Sequence, residues 1–292
     1  MVENKAYMYG LSAVLLWSTV ATAFKLSLRY LTPVQLLFFA TLSSLIVIIF
    51  ILWYQKKWQL LFVLTKKEIF AMLFLGTINP FTYYLVLFKA YDLLPAQEAQ
   101  ALNYTWALTL TYLSVIFLKH SLRWQDIVAG LICYGGVLVI STHGDVLSLK
   151  FSNSFGVVLA LFSTVLWALF WIYNTKWGIE PIVGLFLNFS SGFVLIFGWF
   201  LYVSYGESLP WQGIVGAVYV GFFEMGITFF LWLKALRLTT QTAKIANLIF
   251  LSPFISLLLI GYFLNEPILP STVFGLVLIV SGLLLQSWGK NG

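Results

Sequence analysis

Two strongly polar residues, Asn79 and Glu224, stand near the middle of long apolar runs, 145 positions apart. A charged group at such a depth costs about 2.5–3.5 kcal/mol on insertion scales, so it faces a cavity, pairs with a polar neighbour or relays protons. Glu224 is the one acidic residue of ten placed mid-run; the other nine lie in connections, tails or run ends. Asn79 both donates and accepts, and Pro80 behind it removes a backbone hydrogen bond and loosens any helix that contains it. Tyr83 and Tyr84 follow one turn later. Gln100, Asn103, Tyr104, Ala107, Thr111 and Ser114 fall at helical spacing on one mostly polar stripe, with Trp106 beside it. Trp17 and Trp167 hold equivalent places before Lys25 and Lys176, and Trp171 lies one turn beyond Trp167. Amides and a carboxyl to satisfy a solute's polar groups, with aromatic faces to grip its apolar body, are the chemistry of solute binding. The competing reading is structural: a neutral Glu224 bonded between helices, a proline kink at Pro80, and tryptophans that pack or anchor at the interface.

Catalytic chemistry has little to work with. The two histidines, His120 and His143, both fall in connections, and no HExxH, G-x-S-x-G or phosphate-cradling glycine loop occurs. One cysteine, Cys133, excludes an intrachain disulfide, and with two loop histidines it assembles no metal site. Neither an enzyme nor a cofactor-dependent protein is expected, although a lipid-handling membrane protein stays open as an alternative.

The elements that must hold these residues follow from composition. With 61% hydrophobic and 9% charged residues and a mean hydropathy of +0.95, the chain lacks the polar surface to coat a soluble globule and belongs in a lipid bilayer. Runs of about 20 apolar residues, enough to cross hydrocarbon, occur near 6–28, 34–54, 69–89, 97–117, 125–142, 154–174, 182–204, 213–233, 242–263 and 271–288. Continuous rather than alternating apolarity makes them helices, since a lipid-exposed backbone must satisfy its own hydrogen bonds. Most prolines mark run ends; only Pro80 and Pro253 are placed inside spans. Lys5 before an apolar run and Ala21-Thr22-Ala23 imitate a signal peptide, but Trp17, Ser18 and Thr19 interrupt the apolar core, so the stretch is expected to stay as a span. The formal charge of +6 is spread between runs, which argues against a nucleic-acid partner. Twelve Lys and Arg fall on one side and four on the other (Lys25, Arg29, Lys89, Lys150), which predicts both termini in the cytoplasm.

The halves are copies. Shifted by 145, Gly76 falls on Gly221, Lys89-Ala90 on Lys234-Ala235, Leu93 on Leu238, Ala101 on Ala246, Gly130 on Gly275, and Asn79 on Glu224. Residues 1–142 and 154–292 are therefore expected to be two five-helix repeats joined by a linker at 143–153. An odd helix number inverts the second copy across the membrane, the plan by which many secondary transporters place a site at the midplane. Gly130, Gly135, Gly136, Gly275 and Gly282 are expected to be close-packing positions in the fifth and tenth helices.

GLSAVLLWST (Gly10–Thr19), ALNYTWALTLTYLS (Ala101–Ser114), STVLWALFWIYNTK (Ser163–Lys176) and IANLIFLSPFISLLL (Ile245–Leu259) resemble the drug/metabolite transporter superfamily, within it the EamA-type ten-helix carriers. The LWST and NYTW segments are similar to the bacterial aromatic amino acid exporter branch. The resemblance implies a bacterial inner-membrane carrier whose first, third, fourth, sixth, eighth and ninth helices enclose a cavity. It assigns substrate contacts to Trp17, Asn79, Tyr83, Asn103, Tyr104, Trp106, Trp167 and Glu224, with Glu224 also a proton-coupling candidate. The implied substrate is a small organic metabolite, first of all an amino acid, moved outward by alternating access; an importer or a carrier of a nucleoside, sugar derivative or drug-like amine is the alternative. Ala107 departs from the proline frequent in that branch, so the resemblance does not carry a symmetric proline break over to the fourth helix. An acidic residue frequent after the fourth helix is replaced near His120, while Glu266 stands after the ninth.

Overall fold

The computed structural model describes residues 2–119, 121–148, 150–239 and 242–288; His120 and Lys290 lie outside them. Nine helices among the described residues are long and apolar enough to cross a membrane, and a tenth is shorter. They are α1 (Val2–Leu28), α2 (Pro33–Tyr54), α3 (Lys66–Leu93), α4 (Ala96–Leu118), α5 (Trp124–Ser141), α6 (Ser154–Trp177), α7 (Pro181–Val203), α8 (Trp211–Leu236), α9 (Leu248–Leu264) and α10 (Pro270–Trp288). The chain is an all-α, multi-pass membrane protein.

Local signals account for the starts. Thr32 and Gln35 form a reciprocal capping box ahead of α2, and Thr65 with Glu68 does the same for α3. Pro33, Pro181 and Pro270 stand at first helical positions, where a missing N–H costs nothing. Starts are cheap in this chain; the middles are where it departs from regular helix.

Packing relies on close backbone approach, because lipid tails leave no hydrophobic force between helices and van der Waals contact must hold them. A Cβ on Gly76 of α3 would sit 2.2 Å from the Asn188 carbonyl oxygen of α7 and 2.0 Å from Ser191 Oγ. On Gly221 of α8 it would sit 2.1 Å from the Ala40 carbonyl oxygen of α2 and 2.0 Å from Ser43 Oγ. α5 and α10 approach in the same way: a Cβ on Gly136 would lie 2.5 Å from the Gly275 carbonyl oxygen, and one on Gly275 would lie 2.6 Å from that of Gly136. Gly282 is pressed against Cys133. Gly135 is a correction to the expected set, since its Cβ position meets nothing within 4 Å; it is one residue off the face that Gly136 presents to α10.

Gly136→Leu is expected to destabilise the α5/α10 pair by about 1–3 kcal/mol through overpacking. Thermal unfolding in detergent should show a lowered midpoint for it and an almost unchanged one for Gly135→Leu.

Candidate functional site

Three helices break near their middles, a fourth irregular stretch precedes Pro253 at the start of α9, and these breaks define the site. In α3 the regular helix stops at Gly76 and gives way to a wide turn over Thr77–Thr82, where Asn79 takes extended angles (φ −139°, ψ 119°) ahead of Pro80. The Thr77 carbonyl oxygen is answered by Thr82 Oγ1 at 2.6 Å, and that of Ile78 by the Tyr83 N–H. In α8 the helix ends at Phe223 and resumes at Ile227. Ser44 Oγ from α2 donates to the Met225 carbonyl oxygen at 3.1 Å, and Thr228 Oγ1 donates to that of Phe223. Each opening is closed by a hydroxyl, as a backbone inside hydrocarbon requires.

Helical spacing alone would put Thr228 one turn along the same face as Glu224. It does not share an unbroken helical face with Glu224, because the turn at residues 224–226 intervenes and its hydroxyl is spent on the Phe223 carbonyl. The fourth helix also differs from expectation. Although Ala107 stands where proline was anticipated, α4 breaks at Tyr104–Thr105, with Thr105 Oγ1 capping the Leu102 carbonyl oxygen at 2.8 Å. Pro253 is not inside a helix but in the first turn of Ser252–Leu264, after a short helix Thr242–Asn247 and a 3-10 turn Leu248–Leu251. The polar stripe is thereby cut: Thr111 and Ser114 bond their own backbone four residues back, at Ala107 and Leu110.

Around these breaks the chemistry-bearing side chains converge. Tyr84 Oη donates to Glu224 Oε1 at 3.3 Å, so the partner that α3 offers Glu224 is a phenol rather than Asn79. Asn79 is 3% exposed and its Oδ1 has no partner among the described residues. Tyr83 packs on Trp167, ring centroids 4.7 Å apart and 32° between planes. Phe229 of α8 gathers three tryptophans, with centroids 5.7 Å from Trp17, 6.1 Å from Trp167 and 6.4 Å from Trp171. Asn103 Nδ2 donates to Ser163 Oγ of α6 at 3.1 Å and also faces Tyr83. The Tyr104 hydroxyl faces Ser252 of α9, which in turn accepts from Ser18 of α1 at 3.2 Å. Of the eight expected residues, Trp17, Tyr83, Asn103, Trp167 and Glu224 thus belong to one connected set of contacts, closed by the packing of Tyr83 on Tyr84, while Tyr104 joins Ser252 and Ser18 instead. Asn79 lies in the adjoining break, and Trp106 only packs against the surrounding core.

Phe229 and Tyr84 were not among the expected contacts. A signal for Phe229 existed, since the 145-residue shift places it on Tyr84. Among the described residues, no Lys or Arg forms an ion pair with Glu224.

The two ends of the molecule differ. At one, Lys25 Nζ donates to the carbonyl oxygens of Tyr91 and Leu94 at 2.7 and 2.6 Å, tying α1 to the end of α3. The Ala96 N–H donates to Glu266 Oε1 at 3.1 Å, Gln97 Nε2 donates to the Pro267 carbonyl oxygen at 2.9 Å, and Arg29 reaches that of Leu264 at 3.3 Å. At the other end a cavity of about 240 Å³ runs between α2, α7 and α8, from Lys57, Glu180 and Lys234 inward to Met225 and Phe229.

Comparison with known proteins places this arrangement. The model of the EamA-like transporter family matches residues 4–142 and 154–288. An uncharacterized transporter YvbV of Bacillus subtilis (strain 168) is 30% identical over 200 residues, 66% of this chain and 63% of that protein, so the match spans just under two thirds of the relative. An uncharacterized transporter of Archaeoglobus fulgidus is 26% identical over 284 residues, covering 93% of this chain and 95% of the relative. A protein of known crystal structure superposes with a TM-score of 0.66 at 19% identity, over 97% of this chain and 96% of that one, which shows the shared fold.

Tyr84→Phe and Glu224→Gln should not act independently. A double-mutant cycle on thermal stability is expected to give a coupling of about 0.5–2 kcal/mol, the range for polar contacts within membrane bundles; strict additivity would mean that the two groups do not interact.

Proposed function

Because this chain belongs to the EamA-like transporter family, a family of membrane transporters, we propose that it is a secondary carrier of amino acids, aromatic ones included, working outward across a bacterial inner membrane. The observation that carries the reading is the junction of Tyr84 and Glu224 between two broken helices, roofed by Trp17, Trp167, Trp171 and Phe229. A hydrogen-bonding floor under aromatic walls suits a solute with an apolar body and a polar head. Asn79, whose buried oxygen has no partner among the described residues, and Asn103 would satisfy that head; Glu224 would bind an ammonium group or carry a coupling proton.

The difference between the two ends supports alternating access. The end tied by Lys25, Arg29, Gln97 and Glu266 lies on the lysine-poor side, read as extracellular; the cavity lies on the lysine-rich side, read as cytoplasmic along with both termini. The described conformation is then open inward and latched outward. Support for an inverted repeat comes from the exchanged contacts, with Gly76 of the first half set into α7 of the second and Gly221 of the second set into α2 of the first. Rocking one half against the other would open the latched end and shut the cavity.

Counterflow of a labelled amino acid panel into proteoliposomes tests the reading. Saturable flux is expected for wild type, falling tenfold or more, roughly 1.4 kcal/mol or beyond, in Trp167→Ala. Glu224→Gln should abolish the dependence of uptake on pH. Absence of flux for every amino acid, from protein shown to be folded and inserted, would overturn the substrate class; a wild-type rate in Glu224→Gln at all pH values would overturn the coupling.

A further inference from the structure

The inner cavity is not closed on all sides. Between α2 and α8 lies a second hollow of about 480 Å³, walled by apolar residues that include Val47, Phe50, Phe222 and Ile227. It shares Ile51 and Phe230 with the 240 Å³ cavity. Phe50 is 60% exposed and turned to where the bilayer must be, so the hollow is a lateral groove within the membrane-spanning part of the molecule. Toward the lysine-rich end its character changes. Lys234 follows Phe230 by four residues, one helical turn, and Lys57 follows the last residue of α2, Tyr54, by three. Both lysines line the cavity with a single carboxylate, Glu180, which pairs with Lys57. Lys234 Nζ rests 4.5 Å from the Tyr9 ring centroid, and among the described residues it has no carboxylate partner. The site is therefore an apolar slot deep in the bilayer, leading to a mouth where Lys234 has no carboxylate partner among the described residues.

We propose that this site holds one anionic phospholipid of the lysine-rich leaflet, with an acyl chain in the α2/α8 groove and the phosphate between Lys234 and Lys57. Apolar length followed by a cationic mouth at the interface matches the order of groups along such a lipid, and basic pockets between membrane helices on the cytoplasmic side favour anionic headgroups. The acyl chain covers the exposed side of Phe50, and the lipid becomes a wall of the inner cavity. This assignment needs no particular transported solute, so it stands or falls apart from the carrier reading.

Purified full-length protein would be exchanged against vesicles holding equal phosphatidylglycerol and phosphatidylcholine, and retained lipid read by native mass spectrometry. Phosphatidylglycerol is expected to be retained over phosphatidylcholine by about tenfold or more, from a contribution of order one tenfold step per pair of lysines near the membrane surface. Lys57→Gln with Lys234→Gln should remove that preference, and Ile51→Trp should expel lipid of either headgroup by filling the slot. Lys66→Gln with Lys67→Gln, exposed lysines at the start of α3, should leave retention unchanged. Equal retention of the two lipids, no effect of the Lys57/Lys234 pair, or an equal loss in the Lys66/Lys67 pair would each overturn the proposal.

Discussion

A peptide carbonyl released inside hydrocarbon has no water to turn to, and that constraint shapes the whole molecule. Helices can break at mid-membrane only where a hydroxyl, an amide or a turn N–H waits for the freed group. Thr82, Ser44, Thr228 and Thr105 are those partners, one or two to a break. Once the helices are broken, backbone and side chains at the same depth can turn inward together. The aromatic cage and the Tyr84–Glu224 contact are consequences of the breaks, not independent additions. Asn79 stands apart from the other breaks, since its Oδ1 is buried with no hydrogen-bond partner among the described residues.

The second requirement is close approach. Gly76 and Gly221 each precede a break by a few residues and each lies against the backbone of a helix from the opposite half of the chain. The broken helices are thus carried on helices of the other half. α5 and α10 form a tight glycine-lined pair that takes no part in the site. The side-chain ties are lopsided: at one end Lys25 bonds two main-chain carbonyls of α3, whereas Lys176, its counterpart in the sequence, is exposed.

Much of this was legible in the chain. Apolar run length placed the spans, and polarity at depth picked out Glu224 and Asn79 without any structure, because an isolated polar group in hydrocarbon is costly enough to demand a reason. The 145-residue shift went further than it was used, since it also marks Phe229 through Tyr84. What stayed hidden were facts of geometry over one or two residues. A break at Tyr104–Thr105 needs no proline when Thr105 can cap Leu102, and regular helical spacing misplaces every residue beyond such a break, as it did Thr228, Thr111 and Ser114. Gly135 and Gly136 are indistinguishable by type and differ only in which face they occupy. The latch was hidden for another reason: Lys25 bonds to main-chain carbonyls, and sequence carries no trace of which carbonyls are free.

In the proposed cycle the two ends of the molecule open in opposition around the broken-helix site. Spin-label distances in a Cys133→Ser background measure this directly, with one pair at Asp92 and Ile268 on the latched end and another at Gln59 and Lys176 on the cavity end. Under transport conditions in lipid, the first distance should lengthen in the same population in which the second shortens. Distances that stay fixed during turnover, or that lengthen together, would contradict the account.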